Sequence, residues 1–473
     1  MVRSLCRSNE WLCIDEEKQY LDIGEECTVL MCWALGCQYP LPPRGRAYTA
    51  RELEWLSKKG QTFYQVALLA INDTHTGLDT LSMLHVKLLM CLYLLTMARL
   101  KAAWDLFAAV KHMANSLDLS RPAITINGKD KTLQATLRSR VFWAVYTLDT
   151  YLCTMLGKML TFGERDIKVK HTTTDDLEIE PAIELNQVWN GNRPELSLML
   201  GPAIHAKLAR IVRQALRDLY LDYNGQYNAK SVRSLATEIK QWEEELPEIF
   251  RLSSVGGLEQ IVARQAAVIR LALQHALILI YRPSLPLSSL AHHYTIENDH
   301  TLQLQEIREH QDLCLQAATV ASNTVANLVK KGSLSGTYWF SAYINFCAGT
   351  VMLVYLGHNI HRLEPHRRRE LWQAAQDCCE TERQLATTNR LARRYVAALE
   401  ASNLDCAKDL TLTIPQALSE QLNKRLIAAE QWQDQVMPVD IMTSPANISF
   451  SNVGDNHHHY SAQSVSCCDA SYP

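Results

Sequence analysis

Apolar residues recur at spacings of three and four along most of the chain, the period of helices that each press one face against a core. Leu53, Leu56, Tyr64, Ala67, Leu68 and Ile71 make one such face. Leu81, Leu84, Leu88, Cys91, Leu92 and Leu95 make a second, and Ala103, Leu106, Phe107, Val110 and Met113 a third. A fourth helix runs from Thr132 to about Leu156. Further helices are predicted near 201–222, 231–246, 258–281, 301–330, 335–357, 367–402 and 415–436. Ser231 is a candidate N-cap with Pro247 behind the same helix, and the 258–281 helix stops before Pro283 and Pro286. Alternating strand patterns are scarce. Ile167, Val169, Leu177 and Ile179 come nearest, and they read as a loop. The expected fold is all-α, a large multi-helix array of packed antiparallel helices.

The punctuation between helices sets the expected organisation. Gln38–Arg46 carries Pro40, Pro42 and Pro43 and reads as a connector, with a polyproline ligand as the alternative. An N-terminal helical segment and this linker fill 1–46, a helical domain 47–436, and a disordered tail 437–473, where Pro445 and scattered Ser and Asn break any period. Asp166–Arg193 is a long irregular stretch. From Tyr338 to Leu356 the chain has nineteen residues without a formal charge, long enough for a membrane span. Ser341, Asn345, Thr350 and the mid-run Gly349 argue instead for a buried core helix.

Composition narrows the function classes. The 473 residues are 47% hydrophobic and 21% charged, the mix of a folded protein. Lys plus Arg is 47 against 50 for Asp plus Glu, a net charge of −3, which argues against a protein-wide nucleic-acid footprint. Acidic residues from Asp15 to Glu26 interrupt any secretory signal, so the 14 cysteines are expected as free thiols and Asn447-Ile448-Ser449 as an unused glycosylation pattern. No two cysteines have the C-x-x-C spacing.

The search for catalytic chemistry fails. There is no G-x-S-x-G, no Walker A loop, no G-x-G-x-x-G and no H-E-x-x-H. His457–His459 with Cys467 and Cys468 suit only adventitious metal binding in a loose tail. Adjacent Cys378 and Cys379 point about 100° apart on a helix, so one buried and one more exposed thiol are expected. Lys207, Arg210, Arg213 and Arg217 share a helix and read as a solvated basic face, or as a stripe for phosphates or an acidic partner. His366–Arg369 reads as a helix-start surface rather than an import signal. No catalytic, cofactor-binding or metal-binding residue is assigned.

One stretch carries a family resemblance. Leu137–Leu160 reads LRSRVFWAVYTLDTYLCTMLGKML, with Arg138, Arg140, Phe142, Trp143, Asp149, Gly157 and Lys158 at telling positions. It resembles the signature helix of the regulatory, or middle homology, domain of fungal zinc-cluster transcription factors. Met159 stands where that family often has Pro. Trp104 and the run Leu117-Asp118-Leu119-Ser120-Arg121 are similar to the preceding family helix and its Leu-Gly-Leu-His-Arg ending, with Asp118 for Gly and Ser120 for His. Glu164 to Asp176 resembles the family's acidic loop, and Tyr281-Arg282-Pro283 the end of a long family helix. The resemblance spans roughly residues 20 to 360. On their own chemistry, the aromatic residues of 142–151 need burial and Asp149 needs a cationic partner, for which Arg138, Arg140 and Arg165 are the candidates.

The resemblance implies a nuclear transcription regulator that is not an enzyme, working with the transcription machinery or co-regulator proteins, alone or as a homo- or heterodimer. It implies zinc only where the family's N-terminal six-cysteine cluster is present. Here Cys6, Cys13, Cys27, Cys32 and Cys37 are five, with gaps of six, thirteen, four and four residues, and do not align to it. DNA is expected only through a module not in these residues. A chain cut short, a regulator working through partners and a degenerate paralogue all fit. A partner-binding helical co-regulator and an α-helical enzyme or membrane-associated protein with an unrecognised site are the alternatives.

Overall fold

Nearly every stretch with a three-to-four apolar period is a helix in the computed structural model, which describes residues 23–39, 49–73, 80–122, 129–171, 183–184, 195–221, 227–251, 260–287, 298–332, 334, 338–387 and 389–409. All of these fall in one compact unit within residues 1–438. Thirteen α-helices are present among the described residues: α1 Ile23–Gln38, α2 Ala50–Asp73, α3 Leu81–Thr96, α4 Leu100–Ser116, α5 Lys129–Leu156, α6 Leu200–Leu216, α7 Ala229–Glu244, α8 Glu248–Arg251, α9 Gln260–Tyr281, α10 Asn298–Lys330, α11 Trp339–Asn359, α12 Pro365–Ala386 and α13 Arg390–Asp409. The one β-pairing among them is two residues long, Ile183 opposite Leu196 and Glu184 opposite Glu195. The fold is all-α, as the periodicity predicts.

Helices adjacent in sequence pack as neighbours, the usual result of short connections. α1 lies on α2 and α3, where Cys27, Leu30, Met31, Ala34, Ala67, Val86, Met90 and Tyr93 form a buried cluster. Tyr64 stacks on Tyr93 there at 4.9 Å. Of the face expected on α2, Ala67 is buried, Leu56, Tyr64, Leu68 and Ile71 are half-buried, and Leu53 is exposed. α6 packs on α5, α7 and α9, and α10 bridges α9 to α11.

α11 is the uncharged run, and it is a core helix. It packs on α10, α12 and α13. Among the described residues two helices, Val262–Ser284 and Trp339–Asn359, are long and apolar enough to cross a membrane, and 72% of the second's apolar window is buried inside the protein. Gly349 makes that packing close. A Cβ there would stand 2.9 Å from Leu399 Cδ2 and 3.2 Å from Cys378 Sγ.

Three local expectations change. The helix predicted over 367–402 is two helices, because Asn389 Oδ1 accepts the backbone N–H groups of Leu391 and Ala392 and so caps a new start. The cap of α7 is Asn228, whose Oδ1 accepts the Ser231 N–H, rather than Ser231. Cys378 and Cys379 are both fully buried. Their 100° divergence aims each at a different packed neighbour: Cys378 Sγ donates to Asn345 O on α11 at 3.0 Å, and α12 also packs on α13. The helix predicted over 415–436, the tail with its His and Cys, and the Pro-rich linker from Pro40 lie outside the described residues.

Candidate functional site

The middle of the signature helix is built around one carboxylate. Asp149 sits on α5 with no exposure. Its Oδ2 receives Arg213 Nη1 at 2.8 Å and the Thr161 backbone N–H at 3.1 Å. Its Oδ1 receives the Thr161 hydroxyl at 2.9 Å and the Cys153 thiol at 3.6 Å, and Lys111 Nζ stands 3.8 Å away. Arg213, also without exposure, spends its other terminal nitrogen on Phe162 O at 2.7 Å, and its guanidinium lies 4.4 Å over the Tyr146 ring. A charge pair this deep is tolerable because Asp149 receives several donors and both terminal nitrogens of Arg213 are hydrogen-bonded. Three helices and the 161–162 loop therefore meet at one ion pair.

The partner of Asp149 is thus Arg213, not Arg138, Arg140 or Arg165. Sequence reading placed Arg213 on a solvated stripe with Lys207, Arg210 and Arg217. Each step of three residues turns the side chain back by about 60°, so Arg213 is rotated off the face that Lys207 occupies and into the core. The stripe does meet an acidic partner, and it belongs to the same chain. Glu164 takes Arg210 Nε at 3.2 Å, Arg213 Nε at 3.5 Å and Arg217 Nη1 at 3.7 Å, and accepts the Tyr146 hydroxyl at 2.5 Å. Burial and this carboxylate push the Tyr146 phenol well above its ordinary value. Lys207 pairs with Glu245 at 3.8 Å.

The other signature residues surround this lock. Trp104 lies under Lys111 Nζ at 4.2 Å, which aims the ammonium toward Asp149. Arg138 Nη2 donates to Leu117 O at 2.6 Å and ties α5 to the end of α4. Phe142 is fully buried. Trp143 Nε1 donates to Lys170 O at 2.9 Å, and its ring stacks on His171 at 3.8 Å. Burial, with Arg210 and Lys207 nearby, holds His171 down at about 4. Gly157 ends α5 at φ 54°, a conformation natural for glycine, while exposed Met159 needs no proline to make the turn. Tyr281, Arg282 and Pro283 form a separate group: Tyr281 stacks on His310 at 5.4 Å, Arg282 lies 4.9 Å over the Tyr220 ring, and Pro283 sits in a 3-10 turn that closes α9.

Beside the lock is a cavity of about 560 Å³. α5 contributes Arg140, Trp143 and Tyr151; α6 contributes Gly201 and His205; α9 contributes Arg264, Gln265 and Val268; α11 contributes Trp339 and Phe340. Gly201 lets α6 approach α9: a Cβ there would stand 2.7 Å from Gln265 Oε1. Gln265 is held by its Nε2 bond to Leu198 O at 2.9 Å. His205 Nε2 and the Tyr151 hydroxyl share a 2.8 Å hydrogen bond, and burial lowers His205 to about 4, so the imidazole is neutral. Sequence reading missed this cavity because its walls come from five helices distant in the chain, α3 adding Leu92. No cluster of three or more His, Cys, Asp or Glu suited to a metal ion occurs among the described residues.

The family described as the fungal specific transcription factor domain matches residues 13–244, which hold the whole Asp149–Arg213 arrangement. Over residues 13–244 the chain is similar to that domain. Relatives match further along the chain. "Activator of stress genes 1" of Saccharomyces cerevisiae is 21% identical over 79% of this chain and 36% of its own. An uncharacterised transcriptional regulatory protein of Schizosaccharomyces pombe is 25% identical over 79% of this chain and 44% of its own. "Activator of stress genes protein 1" of Candida albicans is 20% identical over 69% and 34%. The chain thus spans between a third and a half of the length of these regulators. The fungal-specific domain's match stops at 244, short of Tyr281-Arg282-Pro283, so the resemblance traced to about 360 rests beyond that point on the relatives alone.

Proposed function

We propose that this chain is the regulatory portion of a fungal transcription regulator, acting in the nucleus through the transcription machinery or co-regulator proteins and not as an enzyme. The observation that carries this reading is the domain match over 13–244 in a chain whose relatives are named as transcriptional regulators or activators. The sequence contains no C-x-x-C spacing, so reading DNA through a two-zinc cluster requires residues outside it. The regulator works as a homo- or heterodimer, or through a partner that supplies DNA contact.

The test is a reporter assay. The full chain is fused to a heterologous bacterial DNA-binding domain and expressed in yeast with a cognate reporter, and its location is read with a fluorescent tag. The expected result is nuclear signal and reporter output changed in either direction relative to the DNA-binding domain alone. A stably expressed fusion that leaves the reporter unchanged overturns the reading.

A further inference from the structure

The cavity beside the signature helix has a charge pattern that selects a ligand. Its described walls contain two guanidinium groups, Arg140 and Arg264, and no Asp or Glu. Arg140 already has an interaction of its own. Arg264 is half-buried, faces the cavity, and makes no ion pair or hydrogen bond among the described residues. A guanidinium turned toward an apolar space without a counter-charge is the complement of a carboxylate, which it grips with two parallel N–H donors. Of the other polar groups, His205 is paired with Tyr151, Gln265 with Leu198 O and the Trp143 indole with Lys170 O, which leaves Arg264 as the charged group open to a ligand.

The rest of the wall fits an apolar body. Trp143, Tyr151, Trp339 and Phe340 supply aromatic faces and Val268 and Ile269 aliphatic ones. At about 560 Å³ the space falls within the range of small-molecule sites. Exposed Ala144 at its edge marks a route to solvent. Because α5 and α6 form two of the walls, an occupant touches the same helices that the Asp149–Arg213 pair joins.

We propose that this cavity binds an amphipathic monocarboxylate, with its apolar body against the aromatic walls and its carboxylate on Arg264. The proposal deepens the regulatory reading and rests on it, naming the effector class of that domain. Its test is made on the purified chain without any transcriptional readout, so a failure here leaves the reporter result standing.

Dodecanoate and its neutral counterpart dodecanol, both kept below the concentrations at which they self-associate, serve as probes in isothermal titration. Dodecanoate is expected to bind about 10- to 100-fold more tightly than dodecanol, the increment of a charge-assisted hydrogen bond. Arg264→Met, which keeps an unbranched apolar stem but removes the guanidinium, is expected to remove that preference while leaving dodecanol binding in place. Val268→Trp, which fills the cavity, is expected to remove binding of both. Thermal melts of both variants establish that they are folded. Equal binding of the two probes by the parent chain, no binding of either, or a preference that survives Arg264→Met overturns the proposal.

Discussion

Arg213 Nη1 on α6 lies 2.8 Å from Asp149 Oδ2 on α5, and neither side chain has any exposure to solvent. Breaking such a pair leaves one charge buried and uncompensated, which costs more than the pair contributes when intact. Asp149→Ala and Arg213→Ala are each expected to cost about 3–5 kcal/mol. The double change Asp149→Leu with Arg213→Met removes both charges and is expected to cost less than the two single losses together, by about 1–3 kcal/mol. Chemical denaturation of the four proteins measures this coupling. Additive losses would show that the two residues act independently.

Asp118 adopts φ 50°, a left-handed conformation that side chains resist, at the position where the resembling family sequence has Gly. Its ion pair with Arg121, 3.7 Å long and mostly exposed, returns little. Asp118→Gly is expected to raise stability by about 0.5–1 kcal/mol, because relief of backbone strain exceeds the added freedom of the unfolded chain. An equal or lower melting temperature would contradict it.

Two glycines on one helix are expected to respond in opposite senses. Gly349 has Leu399 and Cys378 within contact of a new Cβ, whereas Gly357 has nothing within 4 Å. Gly349→Val is expected to destabilise by about 1–3 kcal/mol through overpacking. Gly357→Ala is expected to stabilise by about 0.5–1 kcal/mol through helix propensity. Melting temperatures of the two variants decide, and a similar response from both would show that α11 is not packed as described.

Burial raises the Glu382 carboxyl from 4.5 to about 8, opposed by its hydrogen bond from Asn345 Nδ2. The folded protein therefore keeps a proton that the unfolded chain releases near pH 4.5. The stability linked to this group is full below that pH, declines by up to about 1.4 kcal/mol per pH unit, and is lost as pH rises through about 8. Glu382→Gln stays neutral and still accepts the Asn345 bond. It is expected to melt progressively higher than the parent between pH 5 and pH 8, and parallel curves would show that Glu382 does not hold that proton.

How much of this was legible in the sequence depends on the range of the interaction. Helix positions follow from apolar spacing, a local signal, and α3, α4 and α11 lie where it placed them. Ends were less legible because they depend on single caps, as at Asn228 and Asn389. The need of Asp149 for a cation followed from its apolar surroundings, but its partner did not. The nearby arginines were favoured by sequence distance, whereas Arg213 is 64 residues away and reaches Asp149 only because α6 packs on α5. The basic residues at 207–217 looked alike in the sequence, and only the rotation of the helix separates the one that enters the core. The cavity has no local signature, since Arg264 gains meaning only beside aromatic residues from α5 and α11.

The buried thiols have a practical consequence. Of the ten described cysteines, eight are buried and Cys32 is exposed. Burial pushes Cys91, Cys153, Cys314, Cys347 and Cys378 up to about 12, so in the folded protein they are protonated as well as covered. An alkylating reagent therefore takes Cys32 at once and the interior thiols only as their helices open. Mass spectrometry of a labelling time course becomes a clock for each part of the array, with Cys91 timing α3, Cys153 timing the signature helix, Cys314 timing α10 and Cys378 timing α12, and no substitution is needed to read it.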